Sequence, residues 1–374
     1  MRILIAPQEF KGTLTAVQAA EAIAGAIARV LPSAELELAP IADGGPGFVD
    51  ALVGAGGGKY RESQVQDPLG RPITARWGVL GEGTAVLEMA AASGLLRLSP
   101  AERDPRRAST YGTGEMIRAA LDANCRRIFL GIGGSATNDG GVGAAEALGI
   151  RFLDRNGKSL PRGGAALADL ERIDLAERDP RLEAVQLRVA ADVTNPLLGP
   201  TGASAIYGPQ KGADAQAVAE LDRALSRLAD VTRDLLGQDL ATVPGAGAAG
   251  GLAFGLMAFC GGQLKRGFEV VAETLGLEER AGRADVVIVG EGRLDQQSAF
   301  GKGPGSLAAL AKAKGRRTVI FAGKVDPSYS PSMSPFDEVV EVTAGSAGQD
   351  LTSPTARALL EAAAEDWARR EKQR

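Results

Sequence analysis

The chain has 374 residues, more than one hydrophobic core usually organises, so two domains are predicted. Its net charge of −4 argues against a nucleic-acid-binding protein, which normally carries a basic stripe to neutralise phosphates. Histidine is absent, which excludes a Ser-His-Asp triad, an HExxH zinc site and a histidine general base, and leaves acid–base chemistry to carboxylates, lysine or tyrosine.

The amino-terminal part has the pattern of a strand, a loop and a helix. Residues 2–6 predict a short buried strand, and residues 15–31 place apolar side chains at helical spacing. A second strand at 35–41 runs into the glycine-rich turn 42–45, at the strand edge where open α/β sheets bind ligands. Residues 60–98 then change to short alternating strands, which indicates a mixed sheet.

Strand and helix patterns continue to the carboxyl end. The predicted segments are a helix at 110–124, a strand at 127–132, a helix at 140–148, a strand at 185–193, a helix at 215–236, strands at 284–289 and 317–322, and a final helix at 353–374. The alternation at both ends predicts an α/β protein with a doubly wound parallel sheet. We expect that domain to comprise 1–62 plus 280–374, with a mixed α/β domain inserted at 63–279.

Composition also bears on compartment and metal. Cys125 and Cys260 stand alone, which suggests neither a disulfide framework nor a thiolate zinc site and is typical of a cytoplasmic protein. A bound metal is expected to have oxygen ligands, which favours Mg²⁺ over Zn²⁺. The longest uncharged stretch, 246–262, is rich in glycine and alanine and too short for a bilayer, so it is interpreted as a buried helix and not as a membrane segment.

The strongest local signal is residues 131–141, GIGGSATNDGG, between a buried strand and a predicted helix. Small residues let backbone N–H groups converge on an anion, and a helix amino end adds a favourable dipole. The segment has neither a Walker A spacing nor a clean GxGxxG. A tight packing turn is the alternative, but the polar side chains exceed what such a turn requires. These side chains belong to Ser135, Thr137, Asn138 and Asp139.

Residues 290–298, GEGRLDQQS, are a second polar segment after a strand. Arg293 and Lys302 suit the phosphate oxygens of a nucleotide, and Glu291 or Asp295 suits Mg²⁺, as phosphoryl transfer requires. The alternative is a solvated charged loop.

Three further positions carry weaker signals. Asp192 ends an apolar strand, where partial burial would perturb its pKa and suit it to accept a hydroxyl proton, although Asp before Pro is also an ordinary turn former. Lys211 offers one cation in the tight loop 208–212. Lys11 and the turn after Asp43 follow the first two strands and are expected at one cleft.

Taken together, these segments resemble the type I glycerate kinase family, in order and over nearly the whole chain. The matching segments are 6–12, 42–45, 88–95, 110–114, 131–141, 192–197, 208–212, 244–251, 290–297 and 301–302. The resemblance implies ATP- and Mg²⁺-dependent phosphorylation of D-glycerate, most often to 2-phosphoglycerate. It also implies a flavodoxin-like domain and an inserted domain resembling a restriction-endonuclease core, with the active site in the cleft between them.

The patterns and the resemblance together assign expected roles to individual residues. At the reacting groups we expect Asp192 to accept or orient the hydroxyl, and Lys11 and Arg293 to neutralise charge on the phosphoryl group. The residues expected at the nucleotide are Gly133, Gly134, Ser135, Thr137, Asn138 and Lys302. Those expected at the substrate are Asp43, Gly44, Gly45, Asn195, Lys211 and Gln297. The expected metal ligands are Asp295, Glu291 and Asp139.

Two positions depart from the family pattern. Gln8-Glu9 stands where the family has Asp-Ser, and Pro46 stands where it has Glu, which removes a carboxylate and an N–H donor. These changes bear on substrate choice, so a kinase of another small hydroxy acid and a catalytically silent nucleotide-binding protein are the alternatives. A nicotinamide dehydrogenase is disfavoured because GxGxxG is missing after the first strand. The expected partner is a small molecule, and the protein is expected to be a monomer or a homodimer.

Overall fold

The structure is a computed structural model, and it describes residues 1–295, 303–330, 334–343 and 353–374. The chain divides into two compact units. Unit 1 comprises Met1–Asp43, Asp50–Gly58 and Phe268–Arg374, and unit 2 comprises Gly44–Val49 and Lys59–Gly267. The domain bounds expected from the sequence stay a prediction, because compactness alone does not show which segments fold independently.

Strands and helices alternate through most of the described chain. The strands are β1 (Arg2–Pro7), β2 (Glu35–Leu38), β3 (Lys59–Gln66), β4 (Pro72–Leu80), β5 (Thr84–Glu88), β6 (Arg127–Gly131), β7 (Arg151–Leu153), β8 (Arg172–Asp174), β9 (Gln186–Ala190), β10 (Gln263–Lys265), β11 (Val286–Leu294), β12 (Arg317–Val325) and β13 (Glu338–Glu341). The α-helices are α1 (Ala16–Val30), α2 (Phe48–Gly56), α3 (Ala90–Ser93), α4 (Tyr111–Asp122), α5 (Val142–Ala147), α6 (Ala203–Tyr207), α7 (Ala215–Leu236), α8 (Ala248–Cys260), α9 (Gly267–Leu275), α10 (Leu277–Arg283), α11 (Gly303–Ala313) and α12 (Ser353–Gln373).

Unit 1 is built on a five-stranded sheet with the order β13-β12-β11-β1-β2, in which all neighbouring strands are parallel. Numbered within the unit, this order is 2-1-3-4-5, the flavodoxin-like arrangement, so that part of the predicted fold is confirmed. Ile3 and Ile5 of β1 pack with residues of α1 and α12, including Trp367. Leu4, between them, is also fully buried, as expected for a parallel sheet covered on both faces.

Unit 2 is built on a six-stranded mixed sheet with the order β10-β9-β6-β5-β4-β3. The pairs from β5 to β10 are parallel, whereas β4 is antiparallel to both β3 and β5. The predicted mixed sheet is therefore confirmed. Residues of β5, β6 and β9 share one core with α4, α7 and α8.

Several predicted boundaries were wrong, since the strands expected at 35–41 and 185–193 end at Leu38 and Ala190 and two further elements differ more. Strand β11 was expected to end at 289, yet it continues to Leu294 because β12 runs beside it and pairs Glu291 with Ala322. The first half of the predicted polar loop is therefore strand. The helix expected at 140–148 is only α5, because Gly140 and Gly141 have φ values of +62° and +77°, which are not helical.

The uncharged stretch 246–262 forms the buried helix α8, as predicted. Its beginning is unusual, since Ala249, Gly250 and Gly251 have left-handed φ values of +55°, +68° and +84°. A Cβ atom added at Gly250 would lie 2.0 Å from the carbonyl oxygen of Thr137. The turn therefore allows two backbone segments to approach more closely than a side chain would permit. Within the described residues, no helix combines the length and apolarity needed to cross a membrane.

Gly250→Ala is expected to destabilise the protein through both steric clash and left-handed strain. Gly237→Ala is the matched control, because Gly237 has a φ of +70° but nothing within 4 Å of its added Cβ. Strain alone should cost the control about 1–2 kcal/mol. Gly250→Ala should cost about 1–3 kcal/mol more because of overpacking. Chemical denaturation measures both free energies of unfolding, and equal losses would contradict the proposed role of the close contact.

Candidate functional site

The carboxyl ends of β5, β6 and β9 lie side by side at one edge of the sheet in unit 2, because these strands are parallel. Backbone hydrogen bonds continue just beyond the strand ends. Met89 N–H donates to the carbonyl oxygen of Gly131 at 2.9 Å, and Ile132 N–H donates to that of Ala190 at 3.3 Å. Three segments that match the family pattern, at 88–95, 131–141 and 192–197, therefore begin next to one another.

The turn Gly44-Gly45 packs against the same edge. Gly133 N–H donates to the carbonyl oxygen of Gly44 at 3.0 Å, and a Cβ at Gly133 would lie only 2.6 Å from the Cα of Gly45. A Cβ at Gly44, which has a φ of +86°, would lie 2.7 Å from the carbonyl oxygen of Ala190. The structure thus brings together two glycine motifs that are far apart in the sequence, and glycine is required by the close contact.

Residues 132–141, called the glycine loop below, divide into an outer and a buried part. Gly134 is exposed, Gly133 is partly exposed and Ser135 is 8% exposed, whereas Thr137 and Asn138 are fully buried. We call Gly133 to Ser135 the tip. Thr137 and Asn138 were expected to contact the nucleotide, but their burial indicates that they hold the loop from behind.

The tip is fixed by the segment that follows β5. Leu95 N–H donates to the carbonyl oxygen of Gly134 at 2.8 Å, and Ala136 N–H donates to that of Ser93 at 3.0 Å. Ser135 is thus opposite Gly94 in an antiparallel bridge, between these two bonds. Such a residue turns its own N–H away from the opposing strand. The N–H of Ser135 is therefore directed away from Gly94, as an anion-binding group requires.

Asp139 has a structural role in the buried part of the loop. Its carboxylate accepts hydrogen bonds from Thr110 N–H at 2.8 Å, Thr110 Oγ1 at 2.9 Å, Gly141 N–H at 3.1 Å and Gly143 N–H at 3.3 Å. Burial raises its pKa, and these donors oppose that rise. Asp139 therefore satisfies backbone N–H groups at the start of α5. The buried donors around this carboxylate argue against the expected metal ligand at Asp139 and against a helix amino end open to a ligand, and the metal assignment stays a prediction.

Lys211, expected at the substrate carboxylate, lies inside unit 2 with 1% of its surface exposed. Its Nζ donates to the carbonyl oxygen of Thr137 at 2.7 Å. Burial lowers the pKa of Lys211 to about 7, and the nearby Asp139 carboxylate opposes this shift. In this position Lys211 contacts the loop, and its burial argues against the expected contact with the substrate carboxylate. The sequence carried no signal for this, because a lysine in a glycine-rich turn is usually solvated.

Asn195 and Asp192 follow β9. Asn195 donates from Nδ2 to the carbonyl oxygen of Thr201 at 2.8 Å and accepts at Oδ1 from Tyr207 Oη at 2.7 Å. Both the nitrogen and the oxygen of its amide are therefore hydrogen-bonded within the protein. Tyr207, which binds the oxygen, was not among the residues predicted from the sequence. Asp192 is exposed, and its Oδ1 accepts from Gly267 N–H at 2.8 Å, which orients the carboxylate.

In unit 1, the strand order reverses between β1 and β11, where doubly wound folds bind ligands at the carboxyl edge. Lys11 is exposed just beyond β1, and Asp43 is partly buried beyond β2. Glu9 lies within electrostatic range of both. Burial raises the pKa of Glu9, with Lys11 lowering it and Asp43 raising it further. Three charged groups thus meet near this edge, and they include one of the two departures from the family pattern.

Arg293 and Glu291 lie near the end of β11. The Nε of Arg293 donates to Oδ2 of Asp326 at 3.1 Å, and Glu291 is 9% exposed. Hydrogen bonds from Ser328 and then from Arg293 hold the pKa of Asp326 below its usual range. Asp326 was missed by the sequence analysis, although its position directly after β12 is a signal of the same kind. Gln297 and Lys302 lie outside the described residues.

The residues described contain no ready-made cluster of three or more His, Cys, Asp or Glu side chains for a metal. The donor set nevertheless fits Mg²⁺. This ion keeps several waters and is commonly bound by one or two carboxylates together with substrate phosphates. Glu291, three residues before the end of β11, and Asp295, just beyond that end, are carboxylates of that kind.

Comparisons with known proteins agree over the length of the chain. Residues 3–372 match the model of the glycerate kinase family. A glycerate kinase of Halalkalibacterium halodurans is 46% identical over 328 residues, which cover 87% of this chain and 86% of that protein. A glycerate 2-kinase of Escherichia coli is 47% identical, with 87% and 86% covered.

A solved structure shows the same fold. The crystal structure of a putative glycerate kinase 2 from Salmonella typhimurium superposes with a TM-score of 0.89 at 41% identity, and the match covers 100% of this chain and 98% of that one. The order of the strands, the glycine loop and the match over the full length of the chain all point to one family. The chain therefore belongs to the glycerate kinase family, the kinases that use ATP to phosphorylate glycerate.

Proposed function

We propose that this enzyme transfers the γ-phosphoryl group of ATP to the C2 hydroxyl of D-glycerate and releases 2-phosphoglycerate and ADP. The observation that carries the proposal is the glycine loop at the carboxyl ends of the parallel strands β5, β6 and β9, in a chain that matches the family from residue 3 to 372. The 47% identity to a protein named glycerate 2-kinase supports the position of the phosphate.

The tip of the glycine loop is proposed to bind the phosphates of ATP. Gly134 is exposed and has a φ of +74°, and the N–H of Ser135 is directed away from its bridge partner Gly94. Backbone N–H groups at an exposed glycine, together with the hydroxyl of the neighbouring, largely buried Ser135, are suitable donors for phosphate oxygens. Thr137 and Asn138 then act from behind the tip and do not touch the nucleotide.

Asp192 is proposed as the group that receives the hydroxyl proton of glycerate. Its side chain is exposed beyond β9, and the hydrogen bond from Gly267 N–H limits its rotation. As the hydroxyl oxygen attacks the γ-phosphorus, the bond to the bridging oxygen of ADP breaks and the hydroxyl proton passes to the carboxylate. This assignment needs no histidine, in agreement with the composition of the chain.

Charge neutralisation is proposed to come from Lys11 and Arg293, with Asp326 orienting the guanidinium of Arg293. Glu291 and Asp295 would hold Mg²⁺, which supplies positive charge to phosphate oxygens when bound. Asp43, Gly44 and Gly45 remain proposed at the substrate, and Lys302 and Gln297 keep their predicted roles. The composition of the chain favours the cytoplasm as its compartment.

Pro46 is the reason to consider a different hydroxy acid. Its Cγ lies 3.4 Å from the position that a Cβ on Gly134 would occupy, so it is beside the tip of the glycine loop. A carboxylate expected there by the family pattern is replaced by an apolar ring. A substrate with a bulkier or less polar end than glycerate is the second candidate.

Incubation of the protein with ATP, Mg²⁺ and D-glycerate is expected to release ADP and give 2-phosphoglycerate, identified by phosphorus NMR. A parallel panel of small 2-hydroxy acids tests the second candidate. A larger kcat/KM on another acid would overturn D-glycerate as the substrate. A 3-phosphoglycerate signal would overturn the assigned hydroxyl, and ATP binding without turnover on any acid would indicate a silent binder.

Asp192→Asn is expected to lower kcat by about 10²–10⁴-fold, because the amide cannot accept the proton while its oxygen can still accept from Gly267. Asp234→Asn is the matched control, since Asp234 is an exposed aspartate on α7 in the same unit. Steady-state kinetics and a thermal unfolding curve should be recorded for both variants. Wild-type turnover in Asp192→Asn would remove this residue from the chemistry.

Ser135→Ala is expected to raise the KM for ATP by roughly tenfold, the effect of losing one hydrogen bond to a charged group. The KM for D-glycerate should stay within about twofold because the hydroxyl is proposed to contact only phosphate. Ser159→Ala, at an exposed serine of unit 2, is the control. An unchanged KM for ATP would argue against the tip as a phosphate site.

A further inference from the structure

The buried part of the glycine loop is tethered by one short stretch of chain. Lys211, at the end of a 3₁₀ turn spanning Pro209–Lys211, donates from Nζ to the carbonyl oxygen of Thr137 at 2.7 Å. Ser204 of α6 accepts at Oγ from Nδ2 of Asn138 at 2.9 Å. Two successive loop residues directly behind the tip are therefore held by residues only seven positions apart.

The carbonyl of Thr137 is also confined by the left-handed turn at the start of α8. The Cβ position of Gly250 lies 2.0 Å from that oxygen, and Gly140 N–H donates to the carbonyl oxygen of Gly250 at 3.0 Å. The oxygen thus has an ammonium donor and a glycine backbone packed closely around it. A shift of this carbonyl would disturb several contacts of the buried part at once.

Placing an ammonium group at this depth is unfavourable. Lys211 is 1% exposed, and removing its charge from water carries a large desolvation cost that the nearby Asp139 carboxylate only partly offsets. A methionine would occupy a similar volume without that cost. The lysine is therefore explained by the hydrogen bond that its amino group makes to the loop, and not by packing.

We propose that Lys211 is a positioning residue that holds the glycine loop in the shape in which its tip binds the phosphates of ATP, and that it does not contact glycerate. This inference rests on the proposed function of the tip. Through Thr137, Lys211 acts two residues beyond Ser135, and through Asn138, Ser204 acts on the adjoining residue. Loosening either tether lets the tip leave the geometry needed for phosphate binding.

Lys211→Met removes the donor while keeping most of the side-chain volume. It is expected to raise both the KM for ATP and the Kd for ATP, measured by calorimetry, by roughly tenfold, because the buried hydrogen bond to Thr137 is lost. The KM for D-glycerate should stay within about twofold. Ser204→Ala, which removes a neutral partner, should change the same constants in the same direction by a smaller factor.

Gln210→Met is the matched control, because Gln210 is the exposed neighbour of Lys211 in the same turn. All its constants should equal those of the wild type. Thermal unfolding of each variant reports its stability separately. If Lys211→Met does not fold, Ser204→Ala decides, because it loosens the same part of the loop by a smaller change.

Three results would overturn the inference. A rise in the KM for D-glycerate with an unchanged KM for ATP would make Lys211 a substrate ligand. A lower melting temperature with both KM values unchanged would leave it a purely structural role. An effect in Ser135→Ala without one in Lys211→Met would reject the tether but retain the phosphate site, whereas no effect in either variant would reject both.

Discussion

The close approach of the turn Gly44-Gly45 to the start of the glycine loop is the contact on which the candidate site depends. Neither Gly44 nor Gly133 has room for a Cβ atom, and a hydrogen bond of 3.0 Å joins their backbones. The loops after β6 and β9 can therefore lie beside this turn at one sheet edge. A side chain at either position would separate the segments and move the tip.

Behind the tip, the loop is organised by buried charges. Asp139 accepts hydrogen bonds from backbone N–H groups at the start of α5, and Lys211 donates to the carbonyl oxygen of Thr137. Each of these groups would be costly to bury alone, and each satisfies polar backbone that the loop would otherwise leave unpaired. The same residue types that suggest ligand contacts in the sequence thus support the loop from inside unit 2, while the proposed phosphate contacts belong to the tip.

Regular elements were predictable where local patterns are strong. Helix α7 was predicted at 215–236 and has these bounds in the structure. Its ends are marked by the N-cap Asp214 and by Gly237, which has a left-handed conformation. The helix predicted at 140–148 is shorter in the structure, where α5 begins at Val142. Gly140 and Gly141 have left-handed conformations, which the spacing of apolar residues does not predict. Strand β11 extends five residues beyond its predicted end at 289, because β12 pairs with it as far as Leu294. Such pairing between strands is a long-range effect that a local pattern does not contain.

The α/β class and the family could be predicted from the sequence alone, because they depend on residue types and their order along the chain. Which polar side chains remain accessible to solvent depends on the tertiary structure. Asp192 and Lys11 are exposed, whereas Lys211, Asp139, Thr137 and Asn138 are buried. Burial depends on which distant segments pack over a residue, such as the turn Ala249 to Gly251 over Thr137. The composition of the chain and the spacing of its residues do not predict contacts between distant segments.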